Sequence, residues 1–171
     1  MMPKSAVALA GTGTSTAADD NPSARTAWVA LANGDVQLLD TRAGTPTATK
    51  WSTGVAARAI AVSADGREIA LGTADGTAIL FDVHGGSIRE RWRRDGAPVE
   101  CISFAPQGRV VVGGEDGLPY VVDFARRGNH AGVHVTSELV FGNVEAVRGL
   151  RVSGEVVHMA GDGGVVRKYQ L

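Results

Sequence analysis

The chain has one cysteine, Cys101, among 171 residues. A lone thiol excludes an internal disulfide framework and fits a reducing compartment, so a cytoplasmic setting, with a nuclear one as the variant, is expected. Aromatic residues make up only 5% of the chain, too few for a core built mainly on rings. Charge is close to balanced, with a net value of −1, which removes the global field that would draw a nucleic acid or an anionic membrane. No apolar run approaches the ~20 residues a bilayer-spanning helix needs. Near the N-terminus one lysine precedes an apolar stretch over Ala6 to Ala10, short of the ~7–15 residues of a secretory signal core. No G-x-S-x-G nucleophile elbow is present. "GTGTST" from Gly11 lacks the closing Gly-Lys-Ser/Thr of a phosphate loop and opens no helix.

What is abundant is glycine, 23 residues, and its placement is periodic. "SAVALAGTG", "ARAIAVSADG", "VECISFAPQG" and "VRGLRVSG" share one opening; "NGDVQLLD", "DGTAILFD", "DGLPYVVD" and "GGVVRKYQ" share one close. Anchored on Gly34, Gly76, Gly117 and Gly164, the spacings are 42, 41 and 47 residues, the period of a four-stranded propeller blade.

The second repeat shows the grammar. Ile60 and Val62 alternate with Ala59, Ala61 and Ser63, the period-two pattern of a strand with one buried face. Asp65-Gly66 supplies a turn, "EIALGT" a second strand, Asp75-Gly76 another turn, and "TAILFDV" a third strand. "SIRERWRR" alternates and reads as an outer fourth strand. In the third repeat Ile102 and Phe104 line one strand, Gln107-Gly108 turns, and Asp116-Gly117 turns into "LPYVVDF", where Pro119 strains the register unless it sits at a strand start. The first repeat carries a polar insertion, residues 14–24, that reads as a loop.

The turn-strand signature resembles the WD40 family of β-propellers, whose repeats end in Asp-Gly, an apolar strand and Trp-Asp. Here the terminal pairs are Leu39-Asp40, Phe81-Asp82, Val122-Asp123 and Tyr169-Gln170. The family's Gly-His pair is not visible: Gly54, Gly96 and Gly142 are followed by Val55, Ala97 and Asn143. The family's His–Ser–Asp–Trp network is therefore not carried over, and a related propeller family stays open. The resemblance implies an all-β propeller of four-stranded antiparallel blades, about four in number, with repeats near residues 5–50, 51–94, 95–138 and 139–171. The fourth repeat has no donor within the chain for its outer strand. Three readings follow: a segment of a larger propeller, a half completed by another chain, or a self-associating half-ring.

The resemblance further implies a non-catalytic scaffold that binds other proteins, with no cofactor or metal. Propeller partners commonly engage one ring face near the start of each first strand, which points to Arg58, Glu100, Glu145 and Arg148. Arg89, Arg91 and Arg93 project from one side of the expected outer strand. They guard its edge against aggregation or, with Arg94, form a basic stripe for an acidic partner or a nucleic acid. A propeller holding a small ligand or an active site at its channel is the other alternative, although Val7, Ile60, Ile102 and Leu150 offer apolar side chains there. His130 and His134 stand four apart, but a metal would need further ligands such as Cys101.

Overall fold

A computed structural model describes residues 6–11, 26–93, 97–124, 134–138 and 145–171 of the chain. The insertion at 14–24, Arg94, Gly96, His130, Gly142 and Asn143 lie outside them. Among the described residues the strands form four separate antiparallel sheets, each running in chain order. The first holds β1 (Ala6–Gly11), β2 (Thr26–Leu31), β3 (Asp35–Asp40) and β4 (Thr45–Ser52). The second holds β5 (Ala57–Val62), β6 (Glu68–Thr73), β7 (Thr77–Asp82) and β8 (Ser87–Arg93). The third holds β9 (Val99–Phe104), β10 (Arg109–Gly114), β11 (Tyr120–Asp123) and β12 (His134–Glu138), and the fourth β13 (Val147–Ser153), β14 (Val156–Gly161) and β15 (Val166–Gln170).

The meanders follow from turn chemistry. The four anchor glycines between second and third strands have φ of 84°, 84°, 72° and 69° at Gly34, Gly76, Gly117 and Gly164, a region closed to most side chains. At Gly34 a Cβ would also fall 2.5 Å from the Val55 carbonyl oxygen. The aspartate that closes a repeat directs the next turn. Asp40 accepts the backbone N–H groups of Arg42 and Ala43, and Asp82 those of His84 and Gly85, so these aspartates are turn-formers. Pro119 is buried immediately before β11, so its missing N–H removes no ladder bond.

Three cores lie between successive sheets. Between the first and second are Trp28, Ala30, Val36, Ile69, Leu71, Ile79 and Phe81, with Ile60 and Val62 against them. Between the second and third are Ala70, Ala78, Leu80, Val99, Ile102, Val110, Val112, Val122 and Phe124. Between the third and fourth are Cys101, Val111, Val121, Val147, Val157 and Met159, flanked by Leu150 and Tyr169. Among the described residues none of these cores joins the fourth sheet to the first.

The few aromatics sit at the seams. Trp28 stacks on Trp51 at 4.8 Å between centroids, and Trp51 on Phe81 at 5.5 Å, tying the outer strand of the first sheet to the repeat-closing position of the second. Trp92 meets Tyr120 at 5.4 Å across the next seam. Such ring pairs contribute about 0.5–1.5 kcal/mol beyond the area they bury.

Two glycines in equivalent positions let neighbouring sheets approach closely. A Cβ on Gly72 of β6 would overlap Val99 Cγ1 and come within 2.9 Å of Val99 Cβ, in the first strand of the next sheet. A Cβ on Gly113 of β10 would fall 2.9 Å from Val147 Cγ1, again in the next sheet, and 2.7 Å from Cys101 Sγ. Gly72→Ala should therefore destabilise the protein by roughly 1–3 kcal/mol through overpacking. Adding Val99→Ala should recover part of that loss, giving a non-additive double-mutant cycle in urea unfolding. Additive losses would mean that the two residues do not touch.

Candidate functional site

The charged residues near the strand starts have a common structural cause. Each first strand shifts register by one residue against its second strand: between Ala6 and Ala8, between Ala57 and Ala59, between Val99 and Cys101, and between Val147 and Gly149. The extra residues are Val7, Arg58, Glu100 and Arg148. An inserted residue breaks strict alternation, so positions two apart no longer share a face. Ala57 accordingly joins the core with the first sheet and Ala59 the core with the third, while Val99 joins the core with the second sheet and Cys101 the core with the fourth. The bulge lets one strand feed both neighbouring cores and leaves its middle residue for the rim.

At this rim the bulge residues meet the turns between second and third strands. Arg58 Nη1 of the second sheet lies 3.2 Å from Glu100 Oε1 of the third. That oxygen is buried and accepts no aligned hydrogen bond, so the contact is a Coulombic pair. Arg148 of the fourth sheet grips the Asp162 carboxylate in the turn of its own sheet through two hydrogen bonds, Nε at 3.0 Å and Nη2 at 3.1 Å. Its Nη1 also lies 3.8 Å from Glu115 in the turn of the third sheet. The Asp162 bonds, with smaller help from Glu115 and Glu100, raise the basicity of Arg148, and Arg148 in turn holds Asp162 below the ordinary carboxylate range. Glu145 is exposed, and its carboxylate lies over Gly163 so closely that a Cβ there would overlap it. Beside it, Gly117, Val147, Met159 and Tyr169 line a cleft of about 30 Å³, room for little more than a water molecule.

The rim is thus a row of alternating charge, Arg58, Glu100 and Arg148, stitched across three sheets. The exposed Arg148–Asp162 pair adds little to stability, because solvent screens it. The value of these contacts lies in fixing side-chain positions on a rigid edge.

The arginines of β8 sit differently. Ser87, Arg89, Arg91 and Arg93 are exposed while Ile88, Glu90 and Trp92 are half-buried, so the alternation expected of an outer strand is present. Arg89 is not a free cation, because it pairs with Glu68. Arg93 lies near enough to Asp75 to favour its charged form. The side chain of His134 and all of His130 lie outside the described residues, and Cys101 is buried against the Val147 carbonyl. Among the described residues no group of three His, Cys, Asp or Glu side chains converges as a metal site would require.

No protein-family model and no curated protein matches the sequence. Among solved structures, the whole chain superposes on U3-55K, a WD40 β-propeller protein, with a TM-score of 0.78 and 15% identity. The chain has a WD40-like propeller fold. It spans 50% of the U3-55K chain. Similar folds occur in 1230 solved chains, so the architecture by itself selects no function.

Sequence reasoning missed the bulges, although charged residues interrupting apolar strands (Ala-Arg-Ala, Val-Glu-Cys, Val-Arg-Gly) were the available signal. It also missed the turn carboxylates that partner them. Asp75 accepts a 2.6 Å hydrogen bond from the Thr73 hydroxyl, Asp65 one from the Ser63 hydroxyl, and both are held below the usual range mainly for that reason. A depressed carboxylate stabilises the fold above its unfolded pKa, near 3.9, and that contribution disappears as pH falls through the lower folded value. Urea unfolding should therefore show no stability change from these groups between about pH 5 and 7 and a loss below about pH 4. Asp75→Asn should reduce the acid loss, and an unchanged acid slope would contradict the assignment.

Proposed function

We propose that the chain is a non-catalytic scaffold, a segment or subunit of a larger assembly, whose four blade-like sheets form part of a propeller and present the rim of Arg58, Glu100, Glu145 and Arg148 to other proteins. The observation that carries this reading is the repeated bulge. Three consecutive sheets spend an irregularity at the same place to project a charged side chain, and paired charges on a rigid edge suit recognition by electrostatic complementarity. The WD40-like fold supports a scaffold role without establishing it. The same reading makes the protein a cytoplasmic or nuclear one, on the strength of a single buried thiol.

The arginines of β8 fit edge protection better than a nucleic-acid track, since one of the three is already neutralised by Glu68. The channel-ligand alternative would need polar groups where Ile60, Ile102 and Leu150 pack into the seams.

Affinity capture from native extract tests the proposal. The wild-type chain should retain a stoichiometric protein partner, and neutralisation in Arg58→Gln/Arg148→Gln should weaken capture roughly tenfold or more, with the urea midpoint showing that the variant is folded at the capture temperature. Absence of any stoichiometric partner, or equal capture by the variant, would overturn it.

A further inference from the structure

The face that the fourth sheet turns away from the third differs in kind from every equivalent face before it. The rows can be matched through the strand registers. In the second sheet the row is Ala61–Ala70–Leu80, and it packs into the core shared with the third sheet. In the third sheet it is Ser103–Val111–Val121, with both valines buried against the fourth. In the first sheet Trp28 and Leu38 stand opposite one another at the same place and join the core with the second. In the fourth sheet the row is Arg151–His158–Lys168, all three exposed.

Where three sheets carry a core row, the fourth carries a row of basic side chains. Arg151 and Lys168 flank His158 in this row, and directly opposed residues stand about 4.5–5.5 Å apart at Cβ. No carboxylate among the described residues pairs with any of the three. Next to this row lie Ala160 and Val166, also opposed in register. Val165 and Val166, at 51% and 70% exposure, are the large apolar side chains left in solvent among the described residues. Val166 therefore shares this face with the basic side chains, while Val165 turns to the other side with Arg167 and Tyr169, beside Met159.

We infer that the outward face of the fourth sheet is a second docking surface, and that its occupant is a polypeptide surface presenting carboxylates beside apolar side chains. The inference deepens the scaffold reading and rests on it only for the partner's class. A phosphate backbone would use the cations but gain nothing from Ala160 and Val166, and no aromatic ring among the described side chains of this face offers a base a platform for stacking. A second copy of the chain is a poor occupant. The opposite end of the stack, the outward face of the first sheet, offers Val29, Gln37 and Leu39, and its Asp35 is buried and bonded to Asn33. Burying the basic row against that face would leave it desolvated without counter-charges among the described residues.

The test is fluorescence anisotropy of the 171-residue chain at low salt. The probes are labelled ten-residue peptides of alternating Glu-Val and Lys-Val and a dT20 oligonucleotide. The Glu-Val peptide should bind and the Lys-Val peptide should not. Arg151→Glu/Lys168→Glu should weaken the Glu-Val complex at least tenfold, Arg151→Gln/Lys168→Gln by a smaller factor, and Arg148→Glu at the rim by less than twofold. Failure of the Glu-Val peptide to bind the wild type, or equal binding by the double variants, would overturn the inference and leave the rim scaffold standing. Loss only with Arg148→Glu would assign the binding to the rim instead. Binding of dT20 that disappears in the double variants would make the face a nucleic-acid surface, against both readings.

Discussion

The structure depends on how closely one sheet can approach the next. Each seam is formed by a middle strand facing the first strand of the following sheet, and at two seams that approach requires glycine: Gly72 against Val99, and Gly113 against Val147. With no Cβ in the way, bulky β-branched residues on the following sheet reach the backbone of the preceding one. At the seam between the second and third sheets Ala59, Ala70 and Ala78, beside Leu80, meet the larger Ile102, Val110, Val112, Val122 and Phe124. Close-packed interiors tolerate this only when small and large alternate across the seam.

The candidate site is a by-product of the same demand. A first strand must supply side chains to two seams within three residues, and a regular strand cannot place positions i and i+2 on opposite faces. The bulge resolves the conflict, and the residue that it frees is unsuited to either core. Arg58, Glu100 and Arg148 occupy that position, so the chemistry of the rim follows from the geometry of the seams. The turn carboxylates Glu115 and Asp162 then lie within reach of Arg148 because the hairpins end beside the bulges.

Much of this was legible in the sequence. The period of the Gly34, Gly76, Gly117 and Gly164 anchors, the alternation of Ile60 and Val62, and the alternation along β8 all translated into strands and sheets, because turn chemistry and two-residue periodicity are local properties. The bulges were not legible in that way. Their presence is a fact about pairing between strands, and Arg58 reads as one more charged residue until Ala57 and Ala59 are found in different cores. The pairing of Arg89 with Glu68 joins β8 to β6 and is likewise non-local. The basic row of the fourth sheet required registers in three sheets before Arg151, His158 and Lys168 could be set beside Ser103, Val111 and Val121. Single-strand patterns give each residue a face, but they do not say which neighbour that face will meet.

The central claim is that apolar seams hold the sheets in succession and that the outward face of the fourth sheet is exposed among the described residues. Amide hydrogen exchange resolved by strand tests it most directly, because protection follows burial and cooperative opening. The account predicts strong protection in β6 and β10, each buried between neighbouring seams, and weak protection in β15, whose outward residues Val166, Lys168 and Gln170 are exposed. Protection of β15 equal to that of β6 in the isolated chain would mean that something already covers the face, and the account of an exposed basic row would be wrong.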